Sequence, residues 1–276
     1  MKKVLLVLAF AITFSVNAQM SDNSDGTSAG PYAVAMGDGT TASGTASTAT
    51  GFETEASGTR SSAMGFRTTA SGTVSIATGY SSEASGFNST AMGNNAKTFG
   101  SISTAIGNHV IARDFGSLVI GQLNLLGSTV TNSSTEFSTQ NTAFVIGNSA
   151  FDIGTLTRSD ALTVLFDGTT TIAGDLNVNS DARLKANIVS LGSTLSKLLQ
   201  IDGKSYTMKK DQSEKQKIGL LAQDIEKVFP ELVSESHGIK SVNYQGLVPV
   251  LINALKEQQS EIDELKTMLK TLIEKS

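Results

Sequence analysis

The stretch GTASTATGFETEAS, residues 44–57, is followed directly by GTRSSAMGFRTTAS, residues 58–71. In this part of the chain a glycine returns every 14 residues on two ladders that are offset by half a period. A fixed period of this kind predicts a β-solenoid, in which each repeat stacks on the one before it. The first ladder contains Gly30, Gly44, Gly58, Gly72, Gly86 and Gly100. The second ladder contains Gly37, Gly51, Gly65, Gly79, Gly93, Gly107 and Gly121.

Alternate residues of each unit are predicted to lie on opposite faces of a strand. Ser75, Ala77 and Gly79 line one face, whose uniformly small residues suit a narrow interior, and Ile76 and Thr78 lie on the other. The second face either packs against flanking segments of the same chain or faces sister chains, and its contiguous apolar surface favours the latter. Its apolar column contains Met36, Met64, Met92, Ile106 and Ile120, with Thr50 and Thr78 between them.

The pattern Ser-x-Ala-x-Gly, with a second Ala-x-Gly half a period later, resembles the head of trimeric autotransporter adhesins. The resemblance covers residues 30–121 and implies a left-handed parallel β-roll in a homotrimer. Two positions depart from the pattern, because Thr98 replaces an expected alanine and Asp114 replaces a ladder glycine, with Gly116 arriving two residues late. We therefore predict an end cap at Arg113 to Gly116.

Composition and the N-terminus bound the class of protein. The chain has 276 residues, a net charge of −4 and no cysteine, and this weakly acidic balance gives no support for nucleic-acid binding. A signal peptide is predicted over residues 1–18, followed by a linker over 19–29. It has positive charges at Lys2 and Lys3, an apolar run from Val4 to Val16, and small residues at Val16 and Ala18, three residues and one residue before the predicted cleavage site. No other stretch approaches the roughly 20 apolar residues of a membrane-spanning helix. We therefore expect a secreted or cell-surface protein whose mature chain has no transmembrane anchor.

Residues 122–179 lose the 14-residue period and are predicted to form a β-rich connector. The segments Thr142 to Gly147 and Leu162 to Phe166 have the composition of strands. Asp167-Gly168 predicts a hairpin turn after the second of them. Thr170 to Val178 is predicted to form a further strand pair.

Composition changes at Ser180, where charged residues become common. The opening SDARLK, residues 180–185, predicts by itself only the start of a helix, with a serine or aspartate as its N-cap. The motifs that follow are GKSY at 203–206, IGLLAQDI at 218–225, VFPELV at 228–233 and VNYQGLVPVL at 242–251. Together they closely resemble the intramolecular chaperone domain at the C-terminus of phage tail spikes and endosialidases. We assign this α+β domain to residues 180–276.

That resemblance implies a domain that trimerises its fibre and cuts itself, with Ser180 as nucleophile and Lys185 as base. A lysine serves as a base once burial lowers its pKa from about 10.4 towards neutrality. Attack on the preceding carbonyl closes a five-membered ring, which favours cleavage of Asn179–Ser180 within one chain; cleavage after Ser180 needs another route, such as a neighbouring chain. Asp181 and Arg183 match the family motif, but helix capping and ion pairing explain them equally well.

The last segment, about residues 247–275, is predicted to be a coiled-coil helix. Its apolar residues follow the 3-4-3-4 spacing of a heptad seam, with the polar Gln258 at one d position. The alternative is a single amphipathic helix packed on its own domain. Three strands are implied by the two resemblances and not by the seam. The a positions are Val248, Leu255, Ile262 and Leu269, and the d positions are Leu251, Gln258, Leu265 and Leu272.

Three functions are compatible with these observations. The first is a trimeric surface fibre or adhesin, and the second is a single-turnover peptidase that processes its own chain. The third is a prophage tail-fibre component or a glycan-active spike. A spike that acts on glycans would need paired carboxylates, and the repeats offer only Glu53, Glu55 and Glu83. His109 and His237 are far apart in sequence, so we expect no metal site and no cofactor. No motif identifies a receptor.

Overall fold

The structure is a computed structural model that describes residues 28–127, 133–150, 157–209 and 215–275. The predicted signal peptide and most of the predicted linker lie outside these residues. The chain divides into two compact units, residues 1–177 and 178–276. The predicted boundaries of head, connector and chaperone domain remain predictions.

The N-terminal unit is a β-solenoid of about six turns, as the glycine ladders predict. Each turn gives one strand to a smaller parallel sheet and one to a larger sheet. The strands of the smaller sheet are Ser28–Ala29, Thr41–Ala42, Glu55–Ala56, Thr69–Ala70, Glu83–Ala84, Lys97–Thr98 and Ile111–Ala112. The solenoid strands of the larger sheet are Val34–Met36, Thr48–Phe52, Ser62–Phe66, Ile76–Tyr80, Thr90–Asn94, Thr104–Asn108 and Leu118–Gln122.

The strands stack in register, so that each residue lies beside the residue 14 positions later. Ala77 therefore lies beside Ala91, and both belong to a fully buried core made almost wholly of alanine. Ser75 is buried and Ile76 is exposed, which confirms the predicted faces. Gly79 does not lie on the predicted interior face, because it is exposed and has a φ of +111° within the strand Ile76–Tyr80.

The ladder glycines are required by the close approach of successive turns. A Cβ atom on Gly65 would lie 2.1 Å from the carbonyl oxygen of Gly79, and the φ of Gly65 is +126°. A Cβ atom on Gly100 would lie 2.2 Å from the carbonyl oxygen of Asp114. Asp114 itself carries a side chain because the smaller sheet ends before it, at Ile111–Ala112.

The predicted end cap at Arg113 to Gly116 is only partly correct. The smaller sheet ends there, but the larger sheet continues through Leu118–Gln122 and then pairs in parallel with Thr142–Asn148. The smaller sheet is closed by Asn124, whose Oδ1 accepts from the N–H of Ile111 at 2.7 Å and whose Nδ2 donates to its carbonyl at 3.0 Å. The side-chain amide thus takes the place of the next strand.

The connector adds two antiparallel strands to the larger sheet, Asp160–Leu165 and Thr170–Ile172. The strands Thr142–Asn148 and Asp160–Leu165 match the predicted strands to within two residues. The Asp167-Gly168 turn joins Asp160–Leu165 to Thr170–Ile172 in a hairpin, as predicted. The predicted strand pair from Thr170 to Val178 is wrong, since the structure forms a single strand of three residues there.

The C-terminal unit is a small α+β structure. Its core contains Ile225, Phe229, Leu232, Leu247 and Val250. Among the described residues, no helix is both long and apolar enough to pass through a membrane. The helices are Leu195–Leu198, Ala222–Val228 and Leu247–Glu274, with 3₁₀ turns at Ala182–Leu184, Pro230–Leu232 and Tyr244–Gly246. The hairpins are Lys204–Tyr206 with Lys217–Gly219, and Val233–Ser236 with Ile239–Val242.

Candidate functional site

The predicted nucleophile and base lie together at the start of the C-terminal unit. The predicted helix start is a single 3₁₀ turn, Ala182–Leu184, which Asp181 caps by accepting the N–H of Arg183 at 2.9 Å. The N–H of Lys185 then donates to the carbonyl of Ala182 at 3.1 Å, which turns the chain back. As a result the Nζ atom of Lys185 lies 2.8 Å from the Oγ atom of Ser180.

Asp181 and Arg183 hold this turn from outside the pair. The Arg183 guanidinium contacts both carboxylate oxygens of Asp181, with a shortest distance of 2.6 Å. This hydrogen bonding lowers the pKa of the Asp181 carboxyl. Both side chains therefore have the capping and ion-pairing roles that the sequence allowed.

The Ser180–Lys185 pair is exposed to solvent. Lys185 donates its hydrogen bond to Ser180, whereas a general base must accept the hydroxyl proton. The predicted nucleophile and base are therefore within hydrogen-bonding distance, with the amine acting as the donor. Burial of the amine is the physical change that makes a lysine a base near neutral pH.

The chain around the pair is extended and accessible. Residues 174–192 are exposed throughout, including the apolar side chains of Val178, Leu184, Ile188 and Val189. The peptide bonds on either side of Ser180 therefore lie in a stretch that is open to solvent.

The C-terminal helix, Leu247–Glu274, has two distinct faces. Leu247, Val250 and Ala254 are buried against the unit's own core. One turn further on, the Glu257 carboxylate accepts hydrogen bonds from Ser193 Oγ at 2.6 Å and from the N–H of Thr194 at 2.5 Å. These residues fix one side of the helix to its own unit.

The heptad seam lies on a different side and is unpartnered within the unit. Its a and d residues other than Gln258 are 39–67% exposed, and Gln258 is exposed as well. The helix therefore has two apolar stripes. One packs on the helix's own unit and the other, the seam, is exposed to solvent. Packing on its own unit therefore uses a different stripe of the helix, and association of copies through the seam remains a prediction.

The predicted apolar column of the solenoid is also exposed. Register places Met36, Met64, Met92 and Ile106 in one row on the larger sheet, and they are 39–50% exposed. The connector extends the row, because Ile146 lies beside Ile120.

The remaining candidate groups are dispersed. Glu53 pairs with Arg67 and Glu83 pairs with Lys97 across successive turns, so these carboxylates stabilise the stack. His109 and His237 both lie in turns with positive φ, and His237 contacts Ser236. Within the described ranges no group of three or more histidine, aspartate or glutamate residues is arranged to hold a metal ion.

Two known protein families match separate parts of this chain. The family described as chaperone of endosialidase matches residues 180–234, and the YadA head domain repeat matches residues 28–54, 56–82 and 84–109. The chain combines YadA head repeats with a chaperone-of-endosialidase domain. Both resemblances inferred from the sequence are thereby confirmed, and the exposed Ser180–Lys185 pair stands at the first residues of the chaperone domain.

Curated relatives of this tail-fibre-like chain are long tail fiber proteins Gp37. The protein from Salmonella phage S16 is 35% identical over 108 residues, which are 36% of this chain and 14% of the relative. The protein from Enterobacteria phage M1 is 36% identical over 110 residues, which are 36% of this chain and 43% of the relative. The chain thus spans less than half of the length of either relative.

Sequence reasoning missed three features of the YadA head repeats and the chaperone domain. One is a row of stacked aromatic rings, Phe52, Phe66 and Tyr80, which the 14-residue spacing could have revealed. The others are Asn124 as the terminal cap and Glu257 as the link to Thr194. Neither has a local signal, because both act on residues brought close only by folding.

Proposed function

We propose that this chain is the subunit of a homotrimeric fibre whose chaperone domain aligns three chains and then cuts itself off at Ser180. The exposed heptad seam of Leu247–Glu274 carries the proposal. Seven apolar side chains repeat along one side of a helix whose other side is already fixed by Val250, Ala254 and Glu257. A seam of this spacing is covered when parallel copies pack together.

The YadA head repeats support the same assembly. The outer face of the larger sheet carries the apolar column, whereas the smaller sheet presents Thr69, Glu83 and Lys97 at the corresponding outward position. A roll with one apolar and one polar face buries the apolar face against another copy. The helices would bring the chains together in register, which lowers the entropic cost of pairing distant segments of the roll.

The proposed cleavage is an acyl shift followed by hydrolysis. Ser180 Oγ attacks the carbonyl carbon of Asn179 while Lys185, in its neutral form, accepts the hydroxyl proton. The C–N bond breaks, the amine of Ser180 takes the proton, and an ester joins Asn179 to Oγ. Water then hydrolyses the ester, which leaves a carboxylate on Asn179 and a free amine on Ser180. Cleavage on the other side of Ser180 needs another route, such as attack by a neighbouring chain, and the side of Ser180 that is cut is left open.

Assembly of three chains would bury the Lys185 amine, which is the condition that this chemistry lacks in a single chain. Both side chains of the pair are exposed in the single chain, and the base needs a buried amine. Packing of sister chains around residues 174–192 would provide that burial, so cleavage would follow trimerisation. A second candidate, a permanently capped fibre without proteolysis, is favoured by the donor role of Lys185 in the single chain.

We further propose that the protein is exported by the predicted signal peptide, residues 1–18, and displayed at the cell surface. The phage relatives support the alternative of a prophage tail-fibre component. Fractionation of the producing cell separates the two, since export and removal of residues 1–18 are expected only for the surface fibre. Any receptor would be bound by the exposed roll, and we assign none.

Truncation tests the chaperone role. Full-length Ser180→Ala is expected to form uncut trimers, whereas a chain ending at Asn179 is expected to fail to trimerise during expression. Light scattering after size-exclusion chromatography measures both. Normal trimers from the truncated chain would contradict the chaperone role.

A further inference from the structure

The aromatic ladder, Phe52, Phe66 and Tyr80, ends three successive strands of the larger sheet. The ring centroids are 5.2 and 5.0 Å apart and the planes are parallel to within 7–8°. Parallel stacking covers the ring faces with one another, so the ladder presents edges to its surroundings. Phe52 remains 38% exposed and Tyr80 52% exposed.

A second unusual surface lies at the other end of the same strands. In five successive turns, those of the strands from Thr48–Phe52 to Thr104–Asn108, the residue two positions before the strand has a left-handed backbone with φ between 51° and 61°. Valine and isoleucine are disfavoured in this region because their branched Cβ crowds the backbone. Val74 and Ile102 adopt it nonetheless, and they are 37% and 47% exposed. This left-handed corner contains Ala46, Arg60, Val74, Asn88 and Ile102.

Symmetry relates the two surfaces. In a cyclic trimer each contact is heterologous, so one surface of a copy meets a different surface of the next. When three larger sheets face a common axis, the strand ends of one copy come beside the strand starts of its neighbour. Val74 precedes the strand Ile76–Tyr80 and Tyr80 ends it, so the corner and the ladder are the surfaces that this arrangement brings together.

We propose that the aromatic ladder of one copy packs against the left-handed corner of the next copy. The inference rests on the proposed homotrimer and adds which surfaces form its subunit boundary. The side chains that this contact would bring together, turn by turn, are chemically compatible. With the three copies level along the axis, Phe66 faces two residues of the neighbouring copy. These are Arg60, a cation, and Val74, an aliphatic side chain.

Paired cysteines test the contact in the full chain, which has no native cysteine. Phe66→Cys is combined with Val74→Cys, and separately with Arg60→Cys, because these two corner residues lie on adjacent turns about 4.8 Å apart. Positions 66 and 74 lie at opposite ends of a strand, roughly 20 Å apart, so a disulfide within one chain is excluded. Oxidation is expected to give a covalent trimer on non-reducing gels for at least one pair.

Controls separate this inference from the trimer itself. Glu55→Cys with Val74→Cys places one thiol on the outer face of the smaller sheet and is expected to stay monomeric on the gel. Disulfide-linked dimers from Phe66→Cys alone would indicate a two-fold contact and overturn the inference. Native size is measured in parallel by light scattering. A native trimer without cross-links overturns the corner-to-ladder contact alone, whereas a native monomer contradicts the homotrimer as well.

A second pair protects the test against misfolding. Tyr80→Cys with Asn88→Cys moves the thiols one turn along, where both parent side chains are exposed and less packing is lost. The same covalent trimer is expected. Properly sized trimers that resist cross-linking at both levels would overturn the proposed contact.

Discussion

The carboxylate of Glu257 accepts the backbone N–H of Thr194 at 2.5 Å, across 63 residues of sequence. The Oγ1 atom of Thr194 in turn donates to the carbonyl of Val250 at 2.9 Å. These bonds fasten one side of the C-terminal helix to the short helix Leu195–Leu198 and to the segment that follows the Ser180–Lys185 pair. The apolar seam is left on the free side, which is the arrangement that an assembly domain requires.

Replacement of Glu257 by glutamine is expected to destabilise the C-terminal unit at neutral pH. Hydrogen bonds from Ser193 and Thr194 hold the pKa of Glu257 below its ordinary value of 4.5. A lowered acid pKa stabilises the fold above pH 4.5 and loses that contribution as the pH falls through the lower, folded value. Urea unfolding of Ser180→Ala chains with and without Glu257→Gln should therefore differ more in stability at pH 7 than at an acidic pH below the lowered, folded pKa of Glu257. An equal difference at both pH values would contradict this account.

A charge placed in the seam is expected to break the trimer. Leu255→Glu removes an apolar side chain worth about 2 kcal/mol of burial in each copy and places like charges against one another. The predicted product is a folded monomer by light scattering. Ser260→Glu is the matched control, since it adds the same charge to the same helix outside the seam and should remain trimeric. Monomers from both variants would show that charge, and not the seam, controls assembly.

An alanine at a second-ladder glycine is expected to destabilise the roll. In Gly65→Ala the new Cβ meets the Gly79 carbonyl oxygen at 2.1 Å, and the backbone φ is positive as well. Overpacking of this kind costs roughly 1–3 kcal/mol or more. Gly174→Ala is the control, because nothing lies within 4 Å of its added Cβ. Thermal unfolding should shift only for the first variant, and equal melting temperatures would refute the steric explanation.

Asn124→Ala is expected to open the end of the smaller sheet. The substitution leaves the N–H and carbonyl of Ile111 without the partners that Asn124 supplies, at a cost of about 1–3 kcal/mol. Hydrogen exchange at the Ile111 amide should accelerate strongly. Asn94→Ala removes an exposed asparagine from the same solenoid and should leave that amide protected. Unchanged exchange in Asn124→Ala would mean that another group closes the edge.

The sequence predicts those parts of the fold that depend on regular spacing between nearby residues. The 14-residue return of glycine specified the solenoid, and the alternation of Ser75, Ile76 and Ala77 specified its interior, because each turn repeats the same contacts. The heptad spacing specified the long helix and its seam. The loss of the ladder glycine predicts an end cap at Arg113 to Gly116, yet the larger sheet continues, because Thr142–Asn148 pairs with it from a distant part of the chain.

In the candidate site, too, the sequence predicts local contacts and misses those between distant residues. Ser180 and Lys185 are five residues apart, and a single 3₁₀ turn brings them to 2.8 Å, so their proximity is a local property. The link from Glu257 to Thr194 is not local and left no pattern to read. In the proposed mechanism Lys185 is buried by sister chains, and a single chain contains no contact that could reveal this.

Mass spectrometry of the protein isolated as a trimer tests the central claim most directly. The account predicts two fragments that divide next to Ser180, with Asn179 as the new C-terminus for the favoured bond, and a single uncut chain in both Ser180→Ala and Lys185→Ala. Arg183→Lys keeps the charge outside the pair and should still be cut. An intact wild-type chain in a mature trimer would contradict self-cleavage and leave a permanently capped fibre.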